Sequence, residues 1–303
     1  MTSGFFNQAV VAAMPLIPRP LVWQLSQRYI AGTSLDDAYR TVRELNSENC
    51  TATIDVLGED STSIEQVDAA AEQYLKAIRE IKAQSLRCGI SVKLSEMGLR
   101  FDVDRCRQAV RTLASSAQDH GGFVRIDMED SSVTTVTLDV YRQLRQEFDN
   151  VGIVLQSCLR RSEQDVADLL DDGPTDIRLC KGIYIEPEDI AFVDADDIRS
   201  SFNNLLEQVF DGGAQRVAIA THDPALVTYA EEMIEKMGVT QDRYEFQMLL
   251  GVAGTLRREL VAKGHPLRVY VPYGELWYAY SLRRLRENPN IAGHIVWNLF
   301  SRS

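Results

Sequence analysis

The sequence is poor in the features that mark several enzyme classes. Its four histidines (His120, His222, His265, His294) show no HxxxH spacing and its five cysteines no CxxC pair, so no metal site is expected. An odd set of unpaired cysteines (Cys50, Cys88, Cys106, Cys158, Cys180) reads as small buried thiols in a cytoplasmic protein. A GxSxG elbow is missing, which sets aside an α/β-hydrolase. No Gly-rich turn follows the first apolar run, so the dinucleotide fingerprint of an open doubly wound sheet is missing as well. Basic residues are outnumbered, 32 Lys and Arg against 44 Asp and Glu, and the net charge of -12 opposes a broad phosphate-binding surface. Nucleic acid is therefore excluded as a partner. Long apolar runs are also lacking: Pro15, Pro18 and Pro20 interrupt the stretch Ala9 to Met14 before it reaches the roughly 20 residues that span a bilayer. No basic region precedes it, so it is a poor signal peptide. Peripheral contact with the inner face of a cell membrane stays open.

What is present is a recurring alternation. Eight short β-branched or apolar runs, each followed by a helix-patterned stretch, occupy Thr51–Leu57, Gly89–Ser95, Phe123–Met128, Gly152–Gln156, Asp176–Lys181, Arg216–Thr221, Tyr244–Leu249 and Leu267–Val271. Their starts lie roughly 25 to 40 residues apart, the length of one strand–helix unit. Helix punctuation fits between them. Ser63 with Gln66 forms a capping box, Asp223-Pro224 opens one helix, and Gly212-Gly213 and Gly238 close others. Thr33 or Ser34 caps the segment Leu35 to Leu45. The pattern predicts a (βα)8 TIM-type barrel over residues 49–303, preceded by a helical segment over 1–48, with a helix closing the C-terminal part of the chain.

In such a barrel the reactive groups sit at the C-terminal ends of the strands. Those positions hold Glu59, Lys93, Asp127, Gln156, Arg178, Lys181, Thr221, His222, Gln247 and Tyr270. A charged side chain in an apolar strand costs several kcal/mol unless it is paired, so partners or ligands are expected there. Any one of them alone reads equally well as a structural ion pair; the set does not. On the final helix, Tyr280, Arg283 and Arg284 are spaced i, i+3, i+4 and share a face, which builds a receptor for a carboxylate. The same spacing also fits a solvated basic face with Arg286. The surrounding Tyr273, Trp277 and Tyr278 point instead to a lid or pocket wall. Strand-end lysines leave a Schiff-base aldolase using Lys93 or Lys181 as the rival enzyme class, and an amino-acid-binding barrel without catalysis as a third reading.

The strings ISVKLS (90–95), RIDMEDSS (125–132), RLCKGIY (178–184), ATHD (220–223), YEFQMLLG (244–251), RVYVPYG (268–274) and YSLRRL (280–285) together resemble the proline dehydrogenase family, in its order and over almost all of the barrel. Leu57-Gly58-Glu59 and the overall length are similar to the single-function bacterial members. The resemblance implies non-covalent FAD, oxidation of L-proline to Δ1-pyrroline-5-carboxylate by hydride transfer to the flavin N5, and electron transfer to a quinone. It implies that Lys93, Arg283 and Arg284 hold the substrate carboxylate, with Tyr184, Leu249, Tyr270 and Tyr280 around the ring. Asp127 would organise the polar cluster, and Glu59 would pair with Arg283 to close the site. Gln156, Arg178, Lys181, Gly182, Thr221 and His222, with Asp127, would face the cofactor. Two departures stand out: Ile183 replaces a frequent Ala before the tyrosine, which implies a narrower pocket, and Leu250 replaces a larger residue. Retention of Tyr270 implies proline rather than hydroxyproline as substrate. Neither the pattern nor the resemblance gives an oligomeric state.

Overall fold

The computed structural model describes residues 19 to 278 and 280 to 282. Eight parallel strands close into a barrel in chain order, with β8 pairing back onto β1. They are β1 (Thr51–Val56), β2 (Cys88–Lys93), β3 (Val124–Asp127), β4 (Val151–Gln156), β5 (Asp176–Cys180), β6 (Arg216–Ala220), β7 (Tyr244–Leu249) and β8 (Leu267–Tyr273). The expected barrel is present, and all eight strands fall where the apolar runs place them. Differences are confined to ends: β2 stops at Lys93 because the chain turns directly afterwards, and β8 runs on to Tyr273 through its pairing with Val56.

Among the described residues, two helices, α1 (Arg19–Ser26) and α2 (Leu35–Ser47), precede β1. Ser34 caps α2: its side chain accepts the Asp37 amide while Asp37 reaches back to the Ser34 amide. Ala38, Tyr39, Val42 and Leu45 form the buried stripe of α2 and pack on the outer side of β1 and β8. The barrel helices are α3 (Ile64–Ala83), α4 (Val103–Gln118), α5 (Thr134–Arg145), α6 (Ser162–Asp171), α7 (Ala195–Asp211), α8 (Pro224–Met237) and α9 (Gly254–Ala262). In α3 the buried residues Val67, Ala70, Tyr74, Ala77 and Ile78 recur at helical spacing behind the Ser63 cap. The expected box there is shifted by one residue, because the Gln66 side chain accepts from the Thr62 amide rather than from Ser63. Asp223 caps α8 with Pro224 in its first turn, and Gly238 ends it in the left-handed region.

Alternation along the strands divides the interior in two. Ala52, Ile54, Val56, Ile90, Val92, Val124, Ile126 and Ile153 point outward and join the helices in one continuous core. Each Val or Ile among them contributes about 1.5 to 3 kcal/mol by leaving water. The opposite faces point into the barrel and are strongly polar. Near the N-terminal ends of the strands, Arg125 pairs with Asp176, Arg216 with Asp176 and Glu245, and Arg268 with Glu245. Gly152 on β4 makes room for this: a Cβ there would lie 2.5 Å from Arg125 Nη1 and 2.7 Å from the Phe123 ring. The charged layer below leaves the upper half of the barrel to a second cluster.

Candidate active site

Strand register brings the upper cluster together. Lys93 pairs with Asp127, Asp55 with Ser91, and Tyr270 with both Thr53 and Leu249, so their side chains converge from β1, β2, β3, β7 and β8. Lys93 Nζ donates to Asp55 Oδ1 at 2.6 Å and to the Tyr270 hydroxyl at 3.3 Å, and stands 3.9 Å from Asp127 Oδ2. Asp127 accepts from Ser91 Oγ at 2.6 Å, from Arg178 Nη1 at 2.7 Å and from the Tyr270 hydroxyl at 2.7 Å. The Arg178 guanidinium also lies over the Tyr270 ring, 5.6 Å from its centre. Two carboxylates and two cations thus form a closed, charge-matched ring around a phenol.

The titration behaviour follows from this packing. Burial disfavours a charged Asp127, yet Arg178 and Lys93, with the Ser91 and Tyr270 hydroxyls, hold its carboxyl below the usual range. Asp55 is raised, because burial outweighs the attraction of Lys93 and Asp127 repels it. Lys93 also suffers desolvation, but Asp55 and Asp127 more than offset it and hold the ammonium above its ordinary pKa. Burial, then Asp127 and Asp55, keep Tyr270 a phenol well past its usual range. Lys93 is accordingly a fixed cation. A Schiff-base lysine needs the opposite, a depressed pKa that frees the amine at neutral pH.

A second group of expected residues lines the neighbouring strand ends. Gln156 closes β4 and donates to the Glu129 carbonyl at 2.9 Å. After β5, Lys181 and Arg199 both pair with Asp223, and those partners pull its carboxyl down to about 2 against a burial cost that would raise it. Thr221 Oγ1 accepts the Asp223 amide at 3.1 Å, and His222 Nε2 accepts the Leu249 amide at 2.8 Å. Gly182 sits at φ +98°, and a Cβ there would lie 2.3 Å from Cys158 Sγ, so backbone and only backbone lines that stretch of the mouth. The buried Arg178 Nε has no hydrogen-bond partner among the described residues. An aimed but unsatisfied guanidinium N–H, side-chain amide and hydroxyl groups, and cations one strand away fit a planar, anionic cofactor lying across the mouth.

Leu249 ends β7 half-buried, Tyr184 is half-buried on the loop after β5, and Tyr280 is buried against Tyr29, Ile30 and Leu57. Glu59 is exposed on the loop after β1, and Ile183 is 52% exposed, at the rim rather than inside the polar ring. Arg283 and Arg284, the two expected carboxylate ligands, lie outside the described residues. Sequence reasoning missed Asp55, Ser91, Asp223 and Arg199. Asp55 carried the same signal as Lys93, a charge in an apolar strand, at an inward position. Gln247, expected at a strand end, bonds Glu245 in the lower layer instead. Among the described residues no group of His, Cys, Asp or Glu could hold a metal ion, all five cysteines are free, and no helix is long and apolar enough to cross a membrane.

A family model described as proline dehydrogenase matches residues 38 to 295. A protein named proline dehydrogenase in Deinococcus radiodurans is 35% identical over 306 residues, 98% of either chain. The chain belongs to the proline dehydrogenase family. It is therefore an oxidoreductase. Proline dehydrogenase 2 of Bacillus subtilis is 35% identical over 266 residues, 88% of this chain and 87% of that one. Among solved structures, proline utilization A from Bdellovibrio bacteriovorus, inactivated by N-propargylglycine, superposes with a TM-score of 0.82 at 25% identity over 88% of this chain. The chain spans 33% of that much longer protein. The Bradyrhizobium japonicum counterpart, at 21% identity and a TM-score of 0.74, shares the fold. The match to the proline dehydrogenase family covers the whole barrel, including every strand that supplies the polar ring.

Proposed function

We propose that this barrel oxidises L-proline to Δ1-pyrroline-5-carboxylate with a flavin, FAD, as the electron acceptor. The observation that carries the reading is the ring of Asp55, Lys93, Asp127, Arg178 and Tyr270 at the strand ends, in a chain of the proline dehydrogenase family. Lys93, held charged by Asp55 and Asp127, meets the substrate carboxylate, and Arg283 and Arg284 would complete the clamp. Tyr184, Leu249, Tyr270 and Tyr280 bound the pyrrolidine ring and exclude water, which aims the ring carbon bearing the hydride. Asp127 holds Arg178 and Tyr270 in register through its two oxygens. Gln156, Arg178, Lys181, Gly182, Thr221 and His222 would hold the FAD, with Asp127 behind Arg178. When bound, the flavin supplies a two-electron acceptor, which none of the side chains here can be, the cysteines being free thiols. Arg178, whose Nε has no partner among the described residues, is placed to stabilise negative charge that develops beside it. Glu59 would pair with Arg283 to close the mouth.

A quinone as the onward acceptor, a cytoplasmic setting with peripheral contact at the membrane, and a catalytic unit spanning residues 49–303 after a helical segment 1–48 belong to the same proposal. The test is anaerobic. The purified protein is expected to be yellow and to bleach when L-proline is added. A colourless protein that FAD does not reconstitute would overturn the reading, as would flavin that stays oxidised. A borohydride-trapped adduct on Lys93 or Lys181 would identify the Schiff-base alternative.

A further inference from the structure

A second carboxyl cluster lies just behind the polar ring and takes no part in the chemistry described. Glu96, in the turn after β2, is buried, with 4% exposure. Its Oε2 accepts from the Tyr74 hydroxyl of α3 at 3.2 Å. Its other oxygen is pressed against the turn after β1: a Cβ on Gly58 would lie 2.1 Å from Oε1. Both ends of the peptide around Glu96 are tied to that turn, because Ser61 Oγ donates to the Glu96 carbonyl at 2.6 Å and the Ser61 amide to the Ser95 carbonyl at 3.1 Å. The turn carries Glu59, next to Gly58.

The groups that face Glu96 are Asp55 from β1, Tyr74 from α3, Lys93 from β2, Glu129 from the segment after β3, and Tyr273 from β8. Glu129 is its natural rival for a proton. Burial raises its carboxyl too, but it accepts both the amide and the hydroxyl of Ser95, which favour its charged form. Glu96 has one phenolic donor and two acidic neighbours. Burial above all, with Asp55 and Glu129 adding to it against Lys93 and Tyr74, lifts its carboxyl to about 8.

We propose that Glu96 is a positioning residue for the turn that presents Glu59: as a neutral acid wedged between Tyr74 and Gly58 it holds the turn down, and on losing its proton it lets the turn rise. The inference rests on the proposed proline oxidation for its effect on turnover, and on the geometry alone for its effect on the turn. A turn that opens exposes Glu96 to water and returns it to an ordinary carboxylate. The closed form therefore binds more protons between the ordinary value of 4.5 and about 8, and is favoured as pH falls through that window.

The experiment compares the flavin-loaded wild type with Glu96→Gln, which keeps the shape and hydrogen bonding of the neutral acid. Hydrogen exchange at the Ser61 amide, corrected for the intrinsic rate, reports closure directly. Protection in the wild type is expected to fall about tenfold or more between about pH 6 and about pH 8, and to stay level in Glu96→Gln. In steady-state assays, the ratio of the wild-type KM for proline to that of Glu96→Gln should rise about threefold or more over the same range, with kcat unchanged; titration of proline itself cancels in the ratio. Equal loss of protection in both proteins, or an unprotected turn in Glu96→Gln at both pH values, would overturn the proposal. If neither protein oxidises proline while the exchange behaves as stated, the proposed activity fails and the role of Glu96 in holding the turn stands.

Discussion

A buried carboxylate such as Asp55 costs several kcal/mol of desolvation unless a cation stands against it, and Lys93 at 2.6 Å is that cation. The pair gives a residue-scale prediction that separates folding from binding. Lys93→Met leaves Asp55 orphaned and is expected to cost about 3 to 5 kcal/mol in urea unfolding. Adding Asp55→Asn should recover most of that stability, because the orphaned charge is gone, while the KM for proline stays high since the carboxylate ligand is still missing. If the double variant is no more stable than the single one, the ion pair is not what Lys93 contributes to the fold. The same desolvation rule makes Lys93, Asp127, Arg178 and Tyr270 legible in the amino-acid sequence: polar groups at the ends of apolar runs demand partners. Asp55 obeys the rule but lies inside the run TATIDVL, where only the inward phase of the strand distinguishes it from its neighbours. Ser91 is invisible for a different reason, since a serine in a strand carries no desolvation signal strong enough to need explaining.

At the level of elements, the eight strands are readable because each is a compact apolar run bounded by turn residues, and their fixed spacing implies closure. What the runs conceal is that β3, β5, β6, β7 and β8 each contribute a charge to one buried layer: Arg125, Asp176, Arg216, Glu245 and Arg268. Pairing across the barrel depends on stagger between strands that are far apart in sequence, which periodicity within one strand does not contain. Glu245 shows what the layer does. Burial would raise its carboxyl, yet Arg268 and Arg216, assisted by Gln247, pull it down to about 2. The unfolded chain binds its proton near 4.5, so the native state binds fewer protons between the two values. The stabilisation is present above about pH 4.5 and is lost as pH falls through about 2, a contribution on the order of 3 kcal/mol. In acid unfolding followed by circular dichroism, Glu245→Gln should flatten stability across that window while lowering it at neutral pH, where Arg268 loses its partner. A variant whose acid limb matches the wild type would place the sensitivity elsewhere.

For the whole molecule, the distribution of charge matters more than its total. Two layers inside the barrel hold five cations (Lys93, Arg125, Arg178, Arg216, Arg268) against four acids (Asp55, Asp127, Asp176, Glu245), an excess of one positive charge within a protein of net charge -12. That excess lies in the lower layer, since the upper ring is charge-matched, and the remainder of the molecule is strongly acidic around a mouth with no net charge of its own. A ligand approaching from solution feels the outer field first, and that field is screened over about 8 Å at physiological ionic strength. Proline is a zwitterion with no net charge, so the outer field neither attracts nor repels it to first order. Tetrahydrofuran-2-carboxylate has the same ring and carboxylate but lacks the amine, and it arrives as an anion. Raising salt should thus speed association of the furan analogue, by severalfold between about 20 mM and about 500 mM, and leave the association rate of proline nearly constant. Stopped-flow mixing with the flavin absorbance as the signal measures both. Parallel salt curves for the two ligands would mean that the charge-matched ring at the mouth governs capture on its own, and that the acidic exterior serves solubility rather than selection of the uncharged substrate.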